Sequence, residues 1–311
     1  MEKRDVVVYS EDYKKLVDAA ALKDKYYEID ERVEEICKEA FKGCDRLKEI
    51  VMPKKLKKID SEAFQGCTGL TKLTLPSSVT SIERMTFYGC SGLTELTLPN
   101  SVKSIGDGAF ADCSGLEKIT VESGNSCYDS RDNCNSIIET ETNTLIAGCK
   151  NSVIPNSVTS IGNSAFCGCS GLTELTLPNS VTSIGNGAFA YCSGLTELTL
   201  PNSLTEIGKS AFRGCSGLTE LILPNSVTSI GESAFYLCSG LSKITSLAEI
   251  PPMCGFKVFD GVNKTNCELI VPIVSVIAYT RAEDWNKFSN IKGFSGVEVT
   301  MAGKTRKIVV E

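Results

Sequence analysis

The sequence predicts a repeat solenoid, a right-handed superhelix of short coils with a parallel β-sheet, short helical or 3₁₀ turns and terminal caps. Residues 172–194, 195–217 and 218–240 are nearly identical, so the chain repeats at a fixed period. Leucines alternate with polar residues at one place in each copy, which is typical of a strand with one buried face. Eight cysteines recur at one repeat position: Cys44, Cys67, Cys90, Cys113, Cys169, Cys192, Cys215 and Cys238.

Residues 195–217 illustrate the composition of one coil. Leu198 and Leu200 alternate with polar residues, so both leucines are expected to face inward. Pro201 has no amide hydrogen for a sheet and is expected to end the strand. A second apolar group follows, and its last three members have the spacing of a helical or 3₁₀ turn: Leu204, Ile207, Ala211, Phe212 and Cys215. One coil cannot bury these side chains alone, so neighbouring coils must stack.

The extent of the repeat predicts the domain organisation. About eleven 23-residue coils occupy residues 27–272, and a hairpin insert at 122–150 interrupts them. Residues 1–26 precede the repeat and are expected to form an N-terminal cap, and residues 273–311 are expected to form a C-terminal cap helix and hairpin. Caps are needed because the first and last coils would otherwise expose their apolar ends.

The N-terminal cap is predicted to contain a strand and a helix. Asp5–Tyr9 is rich in valine and predicts a short strand. Ser10 is a suitable N-cap for a helix that runs to about Lys23, with Leu16, Val17 and Ala20 on one face. A targeting role for this segment is the alternative.

A change of spacing marks the insert, because Cys113 and Cys169 are 56 residues apart, ten more than two repeats. Residues 136–139 and 145–149 predict two strands of a hairpin. The preceding loop contains acidic and amide side chains, at Asp129, Asp132, Asn133 and Asn135. The calcium-loop pattern nevertheless fails, since Arg131 replaces an acid and the invariant glycine is missing. A solvated loop is therefore expected, with a metal site as the alternative.

The C-terminal segment is expected to close the stack. Leu269–Pro272 predicts the last repeat strand, with Phe259 in the place of the repeat phenylalanine. Residues 274–287 predict a helix whose tryptophan, Trp285, covers the last coil. Residues 296–310 predict a terminal hairpin.

The repeat consensus L-x-x-L-x-L-P-x-S-V-x-x-I-G-x-x-A-F-x-x-C resembles the BspA-like (Treponema-type) class of leucine-rich repeat over roughly residues 27–272. The closing L-x-V-P and W-x-x-F-x-N-I motifs are similar to the end of such proteins. The resemblance implies a leucine-rich-repeat solenoid. It also implies a surface or secreted protein of anaerobic mouth or gut bacteria, with relatives in parasitic protists, that adheres to host matrix or to other cells. Its implied partner is a host-matrix or cell-envelope protein.

Composition narrows the function classes. The formal net charge is −6, which argues against a nucleic-acid partner. The chain has no histidine, the commonest general base and metal ligand, and no G-x-S-x-G motif. We therefore expect no enzyme and no cofactor. A hydrolase or metal enzyme is the least favoured hypothesis, and divalent-ion binding at the insert would support it.

The 15 cysteines have three interpretations. The eight in the repeat are expected to form a buried apolar column, since a free cysteine packs as a small hydrophobic residue. Disulfides and a metal site are the alternatives, although no C-x-x-C pattern supports zinc. Among the other seven, a bridge between Cys127 and Cys134 is a separate possibility.

The candidate binding surface is the row of strand residues that alternate with the buried leucines. In the second half of the chain, same-sign carboxylates stack at a spacing of about 4.8 Å, followed by a lysine. Such a row would bind a basic partner or a cation, although recent duplication of one solvated residue also explains it. The predicted surface comprises Glu174, Thr176, Glu197, Thr199, Glu220, Ile222 and Lys243, with Thr245 continuing the row.

We therefore expect a non-catalytic adhesion or protein-binding protein, with a structural spacer of the cell envelope as the alternative. No stretch is long and apolar enough to span a membrane. The N-terminal MEKRDVVVYSEDYKK has acidic residues and no apolar core, so it does not match a signal peptide. A mature fragment with an added methionine, another export route and a cytoplasmic location all remain open.

Overall fold

We describe residues 7–295 of the protein from a computed structural model. The chain divides into two compact units, Met1–Val153 and Ile154–Glu311, and each is described by itself. Both units are parallel β-solenoids, which confirms the predicted fold class. Each coil has three sides, named here after their buried residues: the leucine side, the isoleucine side and the phenylalanine side.

The leucine side carries the strands that the alternation predicted. Partners in neighbouring coils are parallel and usually 23 residues apart, as Leu96 and Ile119 are. In the first unit the strands are Tyr26–Glu28, Glu49–Val51, Lys72–Leu73, Glu95–Leu98 and Lys118–Val121. In the second unit they are Glu174–Thr176, Glu197–Thr199, Glu220–Leu223, Lys243–Ser246, Glu268–Pro272 and Asn290–Phe294.

The isoleucine side carries a second set of parallel strands that the sequence reasoning missed. Each has two residues, and the second is in most coils a buried isoleucine such as Ile59 or Ile207. In the first unit they are Glu35–Ile36, Lys58–Ile59, Ser81–Ile82 and Ser104–Ile105. In the second unit they are Ser160–Ile161, Ser183–Ile184, Glu206–Ile207, Ser229–Ile230 and Met253–Cys254.

The phenylalanine side consists of turns, and the predicted helical or 3₁₀ turn does not form there. The residues two before and two after each repeat phenylalanine have positive φ, as Glu39 (59°) and Gly43 (73°) do around Phe41. A left-handed residue interrupts any helix. The amide of Phe41 instead donates to the Ala63 carbonyl of the next coil, at 2.7 Å. Hydrogen bonds between coils thus alternate with single turn bonds, such as that from the Cys44 amide to the Phe41 carbonyl, and no continuous helix forms.

The core is a set of columns, one for each repeat position. The phenylalanine rings stack nearly parallel at 4.9–5.6 Å between centroids in the first unit. The corresponding distances in the second unit are 5.1–5.7 Å. The columns contain Phe41, Phe64, Phe87 and Phe110 in the first unit, and Phe166, Phe189, Phe212, Phe235 and Phe259 in the second.

The helix predicted from Ser10 to Lys23 is wrong. Strands Val8–Tyr9 and Lys15–Asp18 occupy this part of the first unit and pair antiparallel. The second of them runs parallel to Glu35–Ile36, so that Leu16 lies opposite Ile36. An end coil has backbone groups that need partners, and a strand supplies those partners whereas a helix satisfies only its own groups. The segment is therefore a shortened coil.

The hairpin of the insert is confirmed in the first unit. Strands Ser136–Glu139 and Thr144–Gly148 pair antiparallel. Strand Tyr128–Asp129 adds to the outer side of this hairpin, and a 3₁₀ turn at Arg131–Asn133 follows it. The loop that the sequence predicted before the hairpin is thus partly ordered into a third strand.

The second unit ends in a cap that is less helical than predicted. An α-helix spans only Val276–Arg281, between 3₁₀ turns at Ile273–Ser275 and Trp285–Lys287. The helix ends because Ala282 is extended. Trp285 is fully buried, lies 5.1 Å from the Phe259 ring and donates to the Pro252 carbonyl, so its predicted covering role is confirmed. The hairpin predicted at residues 296–310 lies outside the described residues.

Candidate binding surface

The leucine side of the second unit brings the predicted surface residues together. The inward leucines, such as Leu175, fix which residues face outward, because successive side chains of a strand alternate. Glu174 lies opposite Glu197 and Thr176 lies opposite Thr199 on neighbouring strands. Glu220 lies opposite Lys243 on the next pair of strands.

The exposure of the predicted residues is uneven. Glu174, Thr176, Glu197 and Glu220 are exposed, as expected. Thr199, Ile222 and Lys243 are half-buried. Thr245 was expected to continue the row but is buried, with only 2% of its surface exposed. The solvent-exposed part of the predicted surface is therefore the acidic row that begins at Glu174.

One part of this surface has paired charges and the other part does not. The Glu220 carboxylate lies 3.7 Å from the Lys243 ammonium, and Lys292 pairs with Glu268 farther along the sheet. Among the described residues no cation pairs with Glu174 or Glu197. These two carboxylates are adjacent, exposed and uncompensated.

The same row in the first unit alternates in charge. Glu49 and Lys72 lie opposite each other, and their charged atoms are 2.7 Å apart. Glu95 lies opposite Lys118 in the same alternating order. Opposite charges on neighbouring strands attract, so this surface offers less unbalanced charge to a partner.

The acidic loop before the hairpin of the insert pairs its first carboxylate within the insert. The Asp129 carboxylate forms an ion pair with Arg131 at 2.7 Å. Arg131 also donates to the Asn143 side chain across the hairpin, at 2.8 Å. Asp129 is thus engaged by a cation and is not presented as a metal ligand. In residues 7–295 no three His, Cys, Asp or Glu side chains are grouped so that they could hold a metal ion.

The repeat cysteines form buried columns, which confirms their interpretation as core residues. The Cys67 thiol donates to the Phe41 carbonyl of the preceding coil at 3.1 Å, and Cys215 donates to Phe189 at 3.2 Å. Burial raises the pKa of Cys238 to about 12. A thiol that stays protonated is a poor nucleophile. All fifteen cysteines lie within the described residues, and none forms a disulfide bond, Cys127 and Cys134 included.

Sequence reasoning passed over a cluster on the phenylalanine side of the second unit. The Arg213 guanidinium carbon lies 5.0 Å from the Tyr236 ring centroid and 5.7 Å from that of Tyr191. The signal in the sequence is the residue two after the repeat phenylalanine. It is glycine in six of nine coils, but aspartate at 112, tyrosine at 191 and leucine at 237.

These features define a repeat protein of the leucine-rich type. The pattern of the family described as "BspA type Leucine rich repeat region" matches residues 23–138 and 136–261, with six copies. The match covers most of the sequence, so the chain belongs to the BspA-type leucine-rich repeat family. No curated protein matches the chain.

Solved structures of similar proteins come from bacteria. A leucine-rich repeat protein from Bacteroides ovatus is 28% identical, with a TM-score of 0.52 over 85% of this chain and 61% of its own. A leucine-rich cell surface protein from Faecalibacterium prausnitzii is 26% identical, with a TM-score of 0.54 over 89% of this chain and 82% of its own. The pneumococcal vaccine antigen PcpA is 26% identical, with a TM-score of 0.62 over 79% and 68%. The chain thus spans about three fifths of the Bacteroides protein.

No helix within residues 7–295 has the length and apolar character that a membrane span requires.

Proposed function

We propose that the chain is a non-catalytic protein-binding or adhesion protein, displayed on a bacterial surface or secreted. Its partner is a host-matrix or cell-envelope protein that presents basic side chains. Binding uses the leucine side of the second unit, where Glu174 and Glu197 contribute the charge and Thr176, Thr199 and Ile222 contribute contact area. The insert of the first unit is a second candidate contact.

One observation carries this proposal. Glu174 and Glu197 are exposed side by side, and no cation of the described residues pairs with either. Like charges on neighbouring strands destabilise a sheet slightly, and Glu49 and Glu220 of the same row each pair with a lysine on the next strand. Lysine or arginine side chains from a partner would remove the repulsion between these carboxylates. Binding would therefore add the attraction between opposite charges that the isolated sheet lacks.

The relatives support the proposed location and class. One similar structure is a cell surface protein and another is a vaccine antigen. Family membership supports a repeat scaffold without catalysis. The buried protonated thiols and the absence of histidine from the sequence agree with this interpretation.

The test is binding of the purified chain to a panel of purified matrix proteins and isolated cell envelopes. The double variant Glu174→Lys/Glu197→Lys is expected to weaken the strongest interaction at least about tenfold, because two attractive charges become repulsive. The matched control is Glu206→Lys/Glu249→Lys, which makes the same charge change at exposed residues away from the leucine side.

The control is expected to bind like the natural chain. Equal binding by both double variants would contradict the proposed surface. An absence of binding to every member of the panel would favour the structural spacer.

A further inference from the structure

The phenylalanine side of the second unit departs from its own repeat at two exposed positions. The residue two after the phenylalanine is Gly168, Gly214 and Gly261 in three coils, with φ between 72° and 91°. Tyr191 and Leu237 occupy this position in the other two coils, with φ of 61° and 60°. Large side chains rarely adopt this conformation. Their exposed fractions are 47% and 45%, so neither side chain is explained by core packing.

A cation lies between the aromatic rings of this region. The guanidinium of Arg213 is over both Tyr191 and Tyr236, within the range of cation–π attraction. Its Nε is buried and has no hydrogen-bond partner. Among the described residues no carboxylate pairs with Arg213. A positioned arginine without an anion is thus flanked by two tyrosines and, one position farther along the chain, by Leu237.

We propose that Tyr191, Arg213, Tyr236 and Leu237 form a second binding surface, distinct from the leucine side, for an acidic segment of a protein partner. A carboxylate of the partner pairs with the terminal nitrogens of Arg213, whose planar group favours bidentate contact with a carboxylate. Tyrosine and arginine are the residues that most often dominate binding energy at protein interfaces. Leu237 supplies apolar contact beside the charged pair.

The geometry favours a peptide over a sugar. A sugar that stacks on an aromatic side chain needs an open ring face. Arg213 lies over both tyrosine rings, and the Tyr191 ring also lies against Gly214, where an added Cβ would be only 2.8 Å from Cδ1 of the ring. Arg213 thus takes up ring surface of both tyrosines that a stacked sugar would need. Hydroxyl groups and ring edges are left for a partner, and they suit hydrogen bonding to a peptide.

The test uses a fluorescein-labelled 12-residue peptide of Glu, Leu and Gly, and a counterpart with Gln in place of Glu. Fluorescence polarisation is expected to show binding of the Glu peptide only. Arg213→Gln is expected to weaken it at least about tenfold, and Arg213→Lys less, since lysine keeps the charge but loses the planar contact. The matched control is Lys42→Gln, which removes a positive charge at the same repeat position in the first unit and should leave the affinity unchanged.

A second variant separates binding from a structural role. Tyr191→Gly restores the repeat glycine and is expected to raise the melting temperature, because it relieves the left-handed strain, while it weakens the peptide. A structural tyrosine would instead lower the melting temperature on removal and leave peptide affinity unchanged.

Three results would overturn the proposal: no binding of the Glu peptide, equal binding by Arg213→Gln, or binding of a uronic-acid oligosaccharide in place of the peptide. The outcome is independent of the leucine side. Glu174→Lys/Glu197→Lys is expected to keep the peptide affinity, so failure here and failure of the proposed function are distinguishable.

Discussion

The two units share one coil design but treat their surfaces differently. Their phenylalanine columns have nearly the same spacing, and their cysteines donate to the same carbonyl of the preceding coil. On the surface, the first unit pairs Glu49 with Lys72, whereas the second leaves Glu174 and Glu197 unpaired. The comparison teaches that the core specifies the fold in both units, while surface residues are free to specialise. Four predictions test it.

The largest effect is expected in the cores. Phe64→Ala in the first unit and Phe212→Ala in the second each remove a fully buried ring that stacks on two others. Each should lower the free energy of unfolding by about 3–5 kcal/mol. Chemical denaturation, with hydrogen exchange to locate the loss, measures this. A much smaller cost in one unit would show that the columns are not equivalent.

The second prediction concerns pH. Burial raises the pKa of Cys192, and a hydrogen bond with Cys113 together with burial raises that of Cys90. A thiol whose pKa is raised on folding ionises first in the unfolded chain, so its stabilising contribution is complete below pH 9 and is lost as pH rises. Well above pH 9, each such thiol steepens the fall of the unfolding free energy by about 1.4 kcal/mol per pH unit.

Replacing either Cys90 or Cys192 with alanine should therefore flatten that pH dependence by the same amount. The measurement is denaturation between pH 9 and 11 at constant ionic strength, with the natural chain as the control. Unchanged slopes in both variants would mean that the thiols ionise as readily in the folded protein.

The third prediction exchanges surface residues between the units. Gly89→Leu in the first unit forces leucine into a φ near 73° and should cost about 1–2 kcal/mol of unfolding free energy. Space is not the cause, since the nearest atom to an added Cβ is 3.7 Å away. Leu237→Gly in the second unit relieves the same strain and should stabilise by about 1 kcal/mol. Thermal unfolding checks both signs, and destabilisation by Leu237→Gly would show that leucine is kept for packing.

The smallest effect is expected from sheet charges. Glu197→Lys places a cation opposite Glu174 and should raise the melting temperature by less than about 2 °C, because exposed pairs contribute little. Lys72→Glu removes the partner of Glu49 and should lower it by a similar amount. Both shifts should shrink in high salt. Shifts that are independent of salt would mean that charge is not their cause.

Alternation and spacing predicted the leucine-side strands, the buried columns of leucine, isoleucine, phenylalanine and cysteine, and the insert hairpin. They failed where the sequence pattern is too short to show a period, or where one pattern fits two kinds of structure. Two-residue strands such as Lys58–Ile59 have no detectable period. The spacing of Ala211, Phe212 and Cys215 also fits a helical turn, and only the left-handed residues at positions such as Gly214 exclude it. The local sequence around Leu16 fits a helical face equally well, because pairing with Ile36 on the next coil leaves no sign in the residues near Leu16.

The candidate surfaces were predicted unequally for a physical reason. Alternation determines which strand residues point outward, so Glu174 and Glu197 could be named in advance. It does not determine how much neighbouring elements cover them, and Thr245 is buried although it belongs to the same row. Arg213 and its tyrosines come from different coils and meet only after the coils stack. A departure from the repeat glycine was the one local sign of them.

The thiol-to-carbonyl hydrogen bonds have an evolutionary consequence. Six cysteines of the columns donate to the repeat phenylalanine carbonyl of the coil before them, as Cys215 does to Phe189. Loss of residues 195–217 as a block would leave each remaining thiol with a phenylalanine carbonyl to bond. Loss of half that stretch would leave several polar groups without hydrogen-bond partners. Genes for such proteins can therefore lengthen or shorten in whole-coil steps, and the number of strands on the leucine side changes with them while the interior keeps the same contacts.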